Sequence, residues 1–192
     1  MVHEHFKGKY EVELKYHLSS KSAFLDVLHS MKHEVMLIDN TDSDCYFDTE
    51  NKHLSNQKKS VCIREMEPSG IKLWIVKGPE PDRCEATNIT NAHNAKSMLK
   101  TMGYDIVLEM KKQRSIYFIG KYHVTVDHLD GLGDFAEFAI MTDEEDRLDH
   151  YREELISLAQ KFSLTHADLE HKSYRELQSE QVLIIKNNKV MI

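Results

Sequence analysis

Hydrophobic residues recur along the chain with two periods, and stretches of one kind alternate with stretches of the other. Three stretches repeat at three and four residues and predict amphipathic helices. The first follows Ser19 and Ser20 and carries Phe24, Val27, Leu28 and Met31; the second starts at Thr90 and carries Ala92, Ala95, Met98, Leu99 and Met102 before Gly103 stops it. The third opens on Thr142-Asp143-Glu144-Glu145, which has the form of a capping box, and continues through Leu148, Tyr151, Leu155, Leu158, Ala159 and Phe162. Eight further segments have strand chemistry: Tyr10 to His17, Asp44 to Asp48, Ser60 to Met66, Ile71 to Lys77, Arg83 to Thr87, Ser115 to Ile119, Tyr122 to His128 and Asp134 to Ile140. Turn chemistry separates several of them, at Pro68-Ser69-Gly70, Gly120-Lys121 and Gly131-Leu132-Gly133. Strands that mostly neighbour one another in sequence predict an α+β fold: an antiparallel β-barrel, closed or nearly closed, with helices packed outside.

Composition sharpens this picture. The 192 residues, 41% hydrophobic and 30% charged with only 7 Gly and 3 Pro, are ordinary for a globular chain. We expect one domain over residues 1–178 and a short tail over 179–192, whose apolar run from Gln181 to Ile192 fits an added strand, a dimer contact or a disordered end. Cys45, Cys62 and Cys84 are scattered with no Cys-x-x-Cys, which suggests a reducing, cytoplasmic setting and neither disulfides nor a zinc knuckle. The start of the chain lacks a signal-peptide pattern, and no run approaches the ~18 apolar residues of a membrane span, so a soluble protein with no membrane partner is expected. A net charge of −7 argues against a nucleic-acid partner, whose phosphates call for surplus Lys and Arg. It leaves room for one small polyanion in a local cationic pocket.

The candidate chemistry begins in Tyr10-Glu11-Val12-Glu13-Leu14-Lys15-Tyr16, where period-two alternation puts Glu11, Glu13 and Lys15 on one face. Alone, this describes a strand with a solvated face. The same habit recurs, however, at Arg64, Lys72, Lys77, Lys112, Arg114 and Asp127, and Glu137 sits inside the apolar run Phe135-Ala136-Glu137-Phe138-Ala139-Ile140. A carboxylate buried there without partners would cost several kcal/mol, so it should meet a cation or a metal. In a barrel these charges would converge. Lys15, Arg64, Lys77, Lys112 and Arg114 suit a chain of phosphates, and Glu11, Glu13, Glu137 and Asp127 offer hard oxygen ligands for Mg²⁺ or Mn²⁺. Divalent ions bridging the acids to phosphates point to metal-assisted chemistry on a triphosphate.

The Glu11-x-Glu13-x-Lys15 strand, followed in order by Arg64-Glu65-Met66, Lys72 to Pro79, Lys112-Gln113-Arg114, Val126-Asp127-His128, Gly131 to Glu137 and Ser173-Tyr174-Arg175, resembles the CYTH superfamily of triphosphate tunnel enzymes, and within it the bacterial class IV adenylyl cyclases. The resemblance implies a tunnel barrel converting ATP to cyclic AMP and pyrophosphate. It also implies that Glu11, Glu13 and Glu137 hold two metal ions and that Lys15, Arg64, Lys77, Lys112 and Arg114 grip the triphosphate. One ion would activate the ribose 3′-hydroxyl for in-line attack on the α-phosphorus. Catalytic roles fall by the same route to Glu13, Glu137, Lys112 and, less firmly, Asp127.

Two departures from the family pattern bear on the reaction. Cys62 stands where many members carry the first Arg of Arg-x-Arg, and Ala139 stands where many triphosphatases carry a second Glu. Both favour a cyclase over a hydrolase acting on inorganic or thiamine triphosphate. A third reading is a non-catalytic polyphosphate or nucleotide-binding module. Trp74 is expected in the core before any contact with adenine, and the twelve His residues in surface or structural roles.

Overall fold

The computed structural model describes residues 5–190, with side chains described as far as residue 183. Nine strands form one antiparallel sheet: β1 (Tyr10–His17), β2 (Glu34–Asp48), β3 (Ser60–Glu67), β4 (Lys72–Lys77), β5 (Cys84–Asn88), β6 (Asp105–Ile119), β7 (Tyr122–Leu129), β8 (Gly133–Thr142) and β9 (Leu169–Glu170). Their order is β5-β4-β3-β2-β6-β7-β8-β1-β9. The sheet curls until its ends meet, where Tyr10 bridges to Arg83, the Glu11 amide donates to the Asp82 carbonyl at 2.7 Å and the Cys84 amide to the Lys9 carbonyl at 2.9 Å. The result is the barrel that the strand pattern predicts.

Five α-helices are described: α1 (Lys21–Ser30), α2 (His53–Asn56), α3 (Ala92–Thr101), α4 (Leu148–Gln160) and α5 (Tyr174–Val190). Ser20 caps α1 by accepting from the Ala23 amide, and Asn91 caps α3 by accepting from the Asn94 amide. Among the described residues no helix is long and apolar enough to cross a membrane.

Amphipathic strands normally turn their apolar face inward, and here they turn it out. Val12, Leu14 and Tyr16 of β1, Val124 and Val126 of β7, and Phe138 and Ile140 of β8 pack beneath Phe24 and Leu28 of α1 and Tyr151, Leu155 and Leu158 of α4. On the opposite side Phe47, Val61, Ile63 and Trp74 pack beneath Ala92, Ala95 and Leu99 of α3. Burial of each Val, Leu, Ile or Phe among them contributes about 1.5–3 kcal/mol. The helices complete the core outside the barrel, so the alternate positions, including every charge on β1, face a lumen.

Four expectations change. The strand expected over 44–48 runs from Glu34, and that over 115–119 from Asp105. Thr142 ends β8 and forms no capping box; its Oγ1 accepts from the Glu144 amide, a single 3₁₀ turn follows over Glu145–Arg147, and α4 begins at Leu148 without a side-chain cap. The tail is helical: α5 runs through position 178 to Val190, while Met191 and Ile192 lie outside the described residues. Trp74 belongs to the core outside the barrel.

Candidate active site

Strand alternation and register assemble the site. Glu11, Glu13 and Lys15 on β1, Arg64 on β3, Lys77 on β4, Arg114 on β6 and Glu137 on β8 all line one cavity of about 1430 Å³. Register sets opposite charges side by side: Lys15 stands across from Glu137, Asp44 from Arg64, Asp42 from Lys112, and Arg114 from Asp127.

The side chains use this register. Lys77 Nζ donates to Glu11 Oε2 at 2.8 Å. Arg114 forks onto Asp127 at 2.7 and 2.5 Å, and its Nη2 also donates to Glu137 Oε2 at 2.5 Å. Lys15 Nζ lies 3.6 Å from Glu137 Oε1, donates to the Lys172 carbonyl at 3.0 Å, and sits 4.3 Å over the Tyr174 ring. Arg64 forks onto Asp44 at 2.6 and 2.7 Å, and Lys112 donates to the same carboxylate at 3.1 Å.

Two expected residues point inward on β6 and β7 but are screened from the open cavity by their own partners. Lys112, 2% exposed, is enclosed by Asp42 and Asp44, and Asp127, fully buried, spends both oxygens on Arg114 and Tyr174. Neither lines the cavity. Sequence reasoning missed Asp42, Asp44 and Tyr174. Asp42 lies amid Lys112 (3.4 Å), Arg64 (3.6 Å) and Arg114 (3.8 Å), yet neither of its oxygens accepts a hydrogen bond. The alternation Asn40, Asp42, Asp44 was the available signal, but polar residues between them gave it no contrast. Tyr174 opens α5 and donates to Asp127 at 2.8 Å.

Electrostatics separate the three glutamates. Burial pushes the Glu11 carboxyl up, but Lys77 overcomes it and brings the pKa to about 2. For Glu137 burial is likewise opposed, by Arg114, Lys15 and Lys112, and its pKa falls below the usual range. Glu13 makes no hydrogen bond or ion pair with the described residues; burial first, then Glu137, raise it to about 7. Burial and then Asp44 push the Cys62 thiol up to about 12, so it is a poor nucleophile. His29 and His33, four residues apart, lie with ring centres 5.6 Å from each other beside Tyr117. Arg83 and Glu85 pair with each other at 2.9 Å.

The carboxylates fit a hard divalent cation by donor chemistry. Among the described residues no three His, Cys, Asp or Glu groups already converge as a metal site, because Glu11 and Glu137 are engaged by cations. Glu13 is the acid left over, and its pKa is raised because burial and the nearby Glu137 charge outweigh Lys77 and Lys15.

Cations and carboxylates thus interleave along the inside of an antiparallel barrel. The chain belongs to the CYTH domain family, whose family model matches residues 9–174. It is 55% identical, over 99% of both chains, to the protein named adenylate cyclase CyaB from Aeromonas hydrophila. A crystal structure from Vibrio parahaemolyticus, 55% identical, superposes with a TM-score of 0.88 over 90% of this chain and 99% of that one. The PH1819 protein of Pyrococcus horikoshii, 25% identical, follows with a TM-score of 0.77 over 90% of this chain and 99% of its own.

Proposed function

We propose that the protein is an adenylyl cyclase, converting ATP to 3′,5′-cyclic AMP and pyrophosphate by in-line attack of the ribose 3′-hydroxyl on the α-phosphorus. The observation that carries this reading is the 55% identity, over 99% of both chains, to a protein named adenylate cyclase. The lumen supplies matching chemistry. Lys15, Arg64, Lys77 and Arg114 bind the triphosphate, and the same cations oppose the charge that builds on the departing pyrophosphate. Three of them pair with Glu11 or Glu137, so phosphate binding is an exchange: Lys77 leaves Glu11, while Lys15 and Arg114 turn from Glu137. Glu11, Glu13 and Glu137 would hold the two Mg²⁺ or Mn²⁺ ions. Bound there, the ions supply Lewis acidity towards the attacking hydroxyl and charge neutralisation towards the phosphates. Lys112 fixes Asp44 against Arg64, and Asp127 fixes the Arg114 guanidinium.

The departures at Cys62 and Ala139 weigh against a triphosphatase, because both positions face the lumen and each removes a charge there. Product analysis of ATP incubated with purified protein and Mg²⁺ or Mn²⁺ tests the proposal. Cyclic AMP with pyrophosphate is expected. Orthophosphate without cyclic AMP would move the assignment to a triphosphatase, and binding without turnover to a nucleotide-binding module.

A further inference from the structure

Outside the barrel, two imidazoles meet where α1 hands over to β2. His29 lies in the last turn of α1, and His33 stands two residues past the Met31 cap, directly before β2 begins at Glu34. Their ring centres are 5.6 Å apart with the planes inclined by 37°. Both rings also pack at an angle against Tyr117 of β6, their centres 6.5 and 5.9 Å from its own. Tyr117 belongs to the core outside the barrel, and neither histidine lines the lumen cavity. His29 is exposed and His33 half-buried, so an ion in solution can reach the pair.

A hydrogen bond fixes the tautomer of His33. Its Nδ1 lies 2.9 Å from the Met31 carbonyl oxygen. A carbonyl only accepts, so Nδ1 carries the proton and, in the neutral ring, Nε2 keeps its lone pair. A backbone carbonyl held by one ring nitrogen is the arrangement that orients a histidine to bind metal through the other. The ring spacing agrees: a Zn²⁺ about 2.1 Å from one nitrogen of each ring, at a roughly tetrahedral angle, sets the ring centres about 5–6 Å apart.

We propose that His29 and His33 form a surface site for Zn²⁺, separate from the carboxylates of the lumen. Imidazole nitrogen suits Zn²⁺, whereas carboxylate oxygen suits Mg²⁺ and Mn²⁺, so the two places sort ions by ligand chemistry. Among the described residues no third His, Cys, Asp or Glu completes the site, so water fills the remaining positions and the affinity falls below that of a closed four-ligand site. The bound ion staples the end of α1, whose Phe24 and Leu28 cover the barrel, to the start of β2.

Calorimetric titration of Zn²⁺ into the full chain, with Mg²⁺ in excess to engage the lumen acids, tests the site. His29→Gln and His33→Gln are each expected to weaken Zn²⁺ binding at least about tenfold, while His93→Gln, at an exposed position on α3, leaves it unchanged. Nitrogen NMR of isotope-labelled histidines in the wild type supplies a readout that needs no variant. Zn²⁺ should move the His33 Nε2 resonance while Nδ1 stays protonated. Equal affinity in the wild type and both variants, or an unmoved Nε2 resonance, would overturn the site.

Discussion

Glu13 is the lumen carboxylate with no ion-pair partner among the described residues, and its raised pKa has a thermodynamic consequence. A folded value of about 7 against an ordinary 4.5 means that its protonated form stabilises the ligand-free fold. That contribution is complete below about pH 4.5 and is lost as pH rises through 7. The unfolding free energy of ligand-free protein should therefore decline between these limits, and Glu13→Gln should flatten the decline; identical slopes in urea titrations would assign the shift elsewhere. Glu137 behaves in the opposite sense, held ionised by Arg114 and Lys15. We expect Glu137→Gln to reduce cyclic AMP formation at least about 100-fold while leaving the circular dichroism spectrum unchanged. Undiminished turnover at saturating Mg²⁺ would remove Glu137 from the site. Its need for a partner was legible beforehand, because a single acid in an apolar strand cannot be buried alone, and Arg114 and Lys15 meet that need. Asp127 looked equivalent in sequence, and the structure shows it fully buried, with both oxygens held by Arg114 and Tyr174.

At the scale of elements, β2 carries much of the site's hidden support. Its inward residues Asp42 and Asp44 hold Lys112 and Arg64, and Asp48 at its end accepts from the Thr49, Leu54 and Ser55 amides and the Ser55 hydroxyl, pinning α2 at the polar mouth. Asp44→Asn leaves two buried cations short of a partner and should destabilise the fold by about 3 kcal/mol, measured by urea unfolding at neutral pH. Burial raises the Asp44 pKa but Arg64 and Lys112 lower it further, so the stability it contributes is present above pH 3.8 and disappears as pH falls below that value. Asp48→Ala should cost about 2 kcal/mol and abolish amide-exchange protection at residues 54 and 55; retained protection would show that packing of Leu54 suffices. The length of β2 was hidden because its inner face, Asn40, Asp42 and Asp44, is as polar as the Thr41 and Ser43 between them. Strand recognition relies on contrast between faces, and a strand lining a charged lumen with polar residues on both faces has none.

For the whole molecule, the proposed exchange of internal ion pairs for phosphate contacts implies that stability depends on ligand. With Mg²⁺ present, tripolyphosphate at about 100 times its Kd should raise the unfolding free energy by about 2.7 kcal/mol, read as an upward shift in Tm. No shift would argue against the charged layer as the phosphate site. The net charge of −7 conceals that layer, because a sum over the chain cannot separate solvated acids from carboxylates placed beside cations. By itself the sequence determined the strand-rich α+β class, the period-two face carrying Glu11, Glu13 and Lys15, and the ordered charges of a tunnel, since periodicity and residue chemistry are local properties. Tertiary structure alone decided which face turned inward, because that depends on α1, α3 and α4 covering the barrel from outside. It alone decided that Lys112 and Asp127 are enclosed by their partners, that Asp42, Asp44 and Tyr174 supply those partners, and that an apolar end adjoins the charges. These facts depend on register and closure, which join residues distant in sequence and leave no period to read.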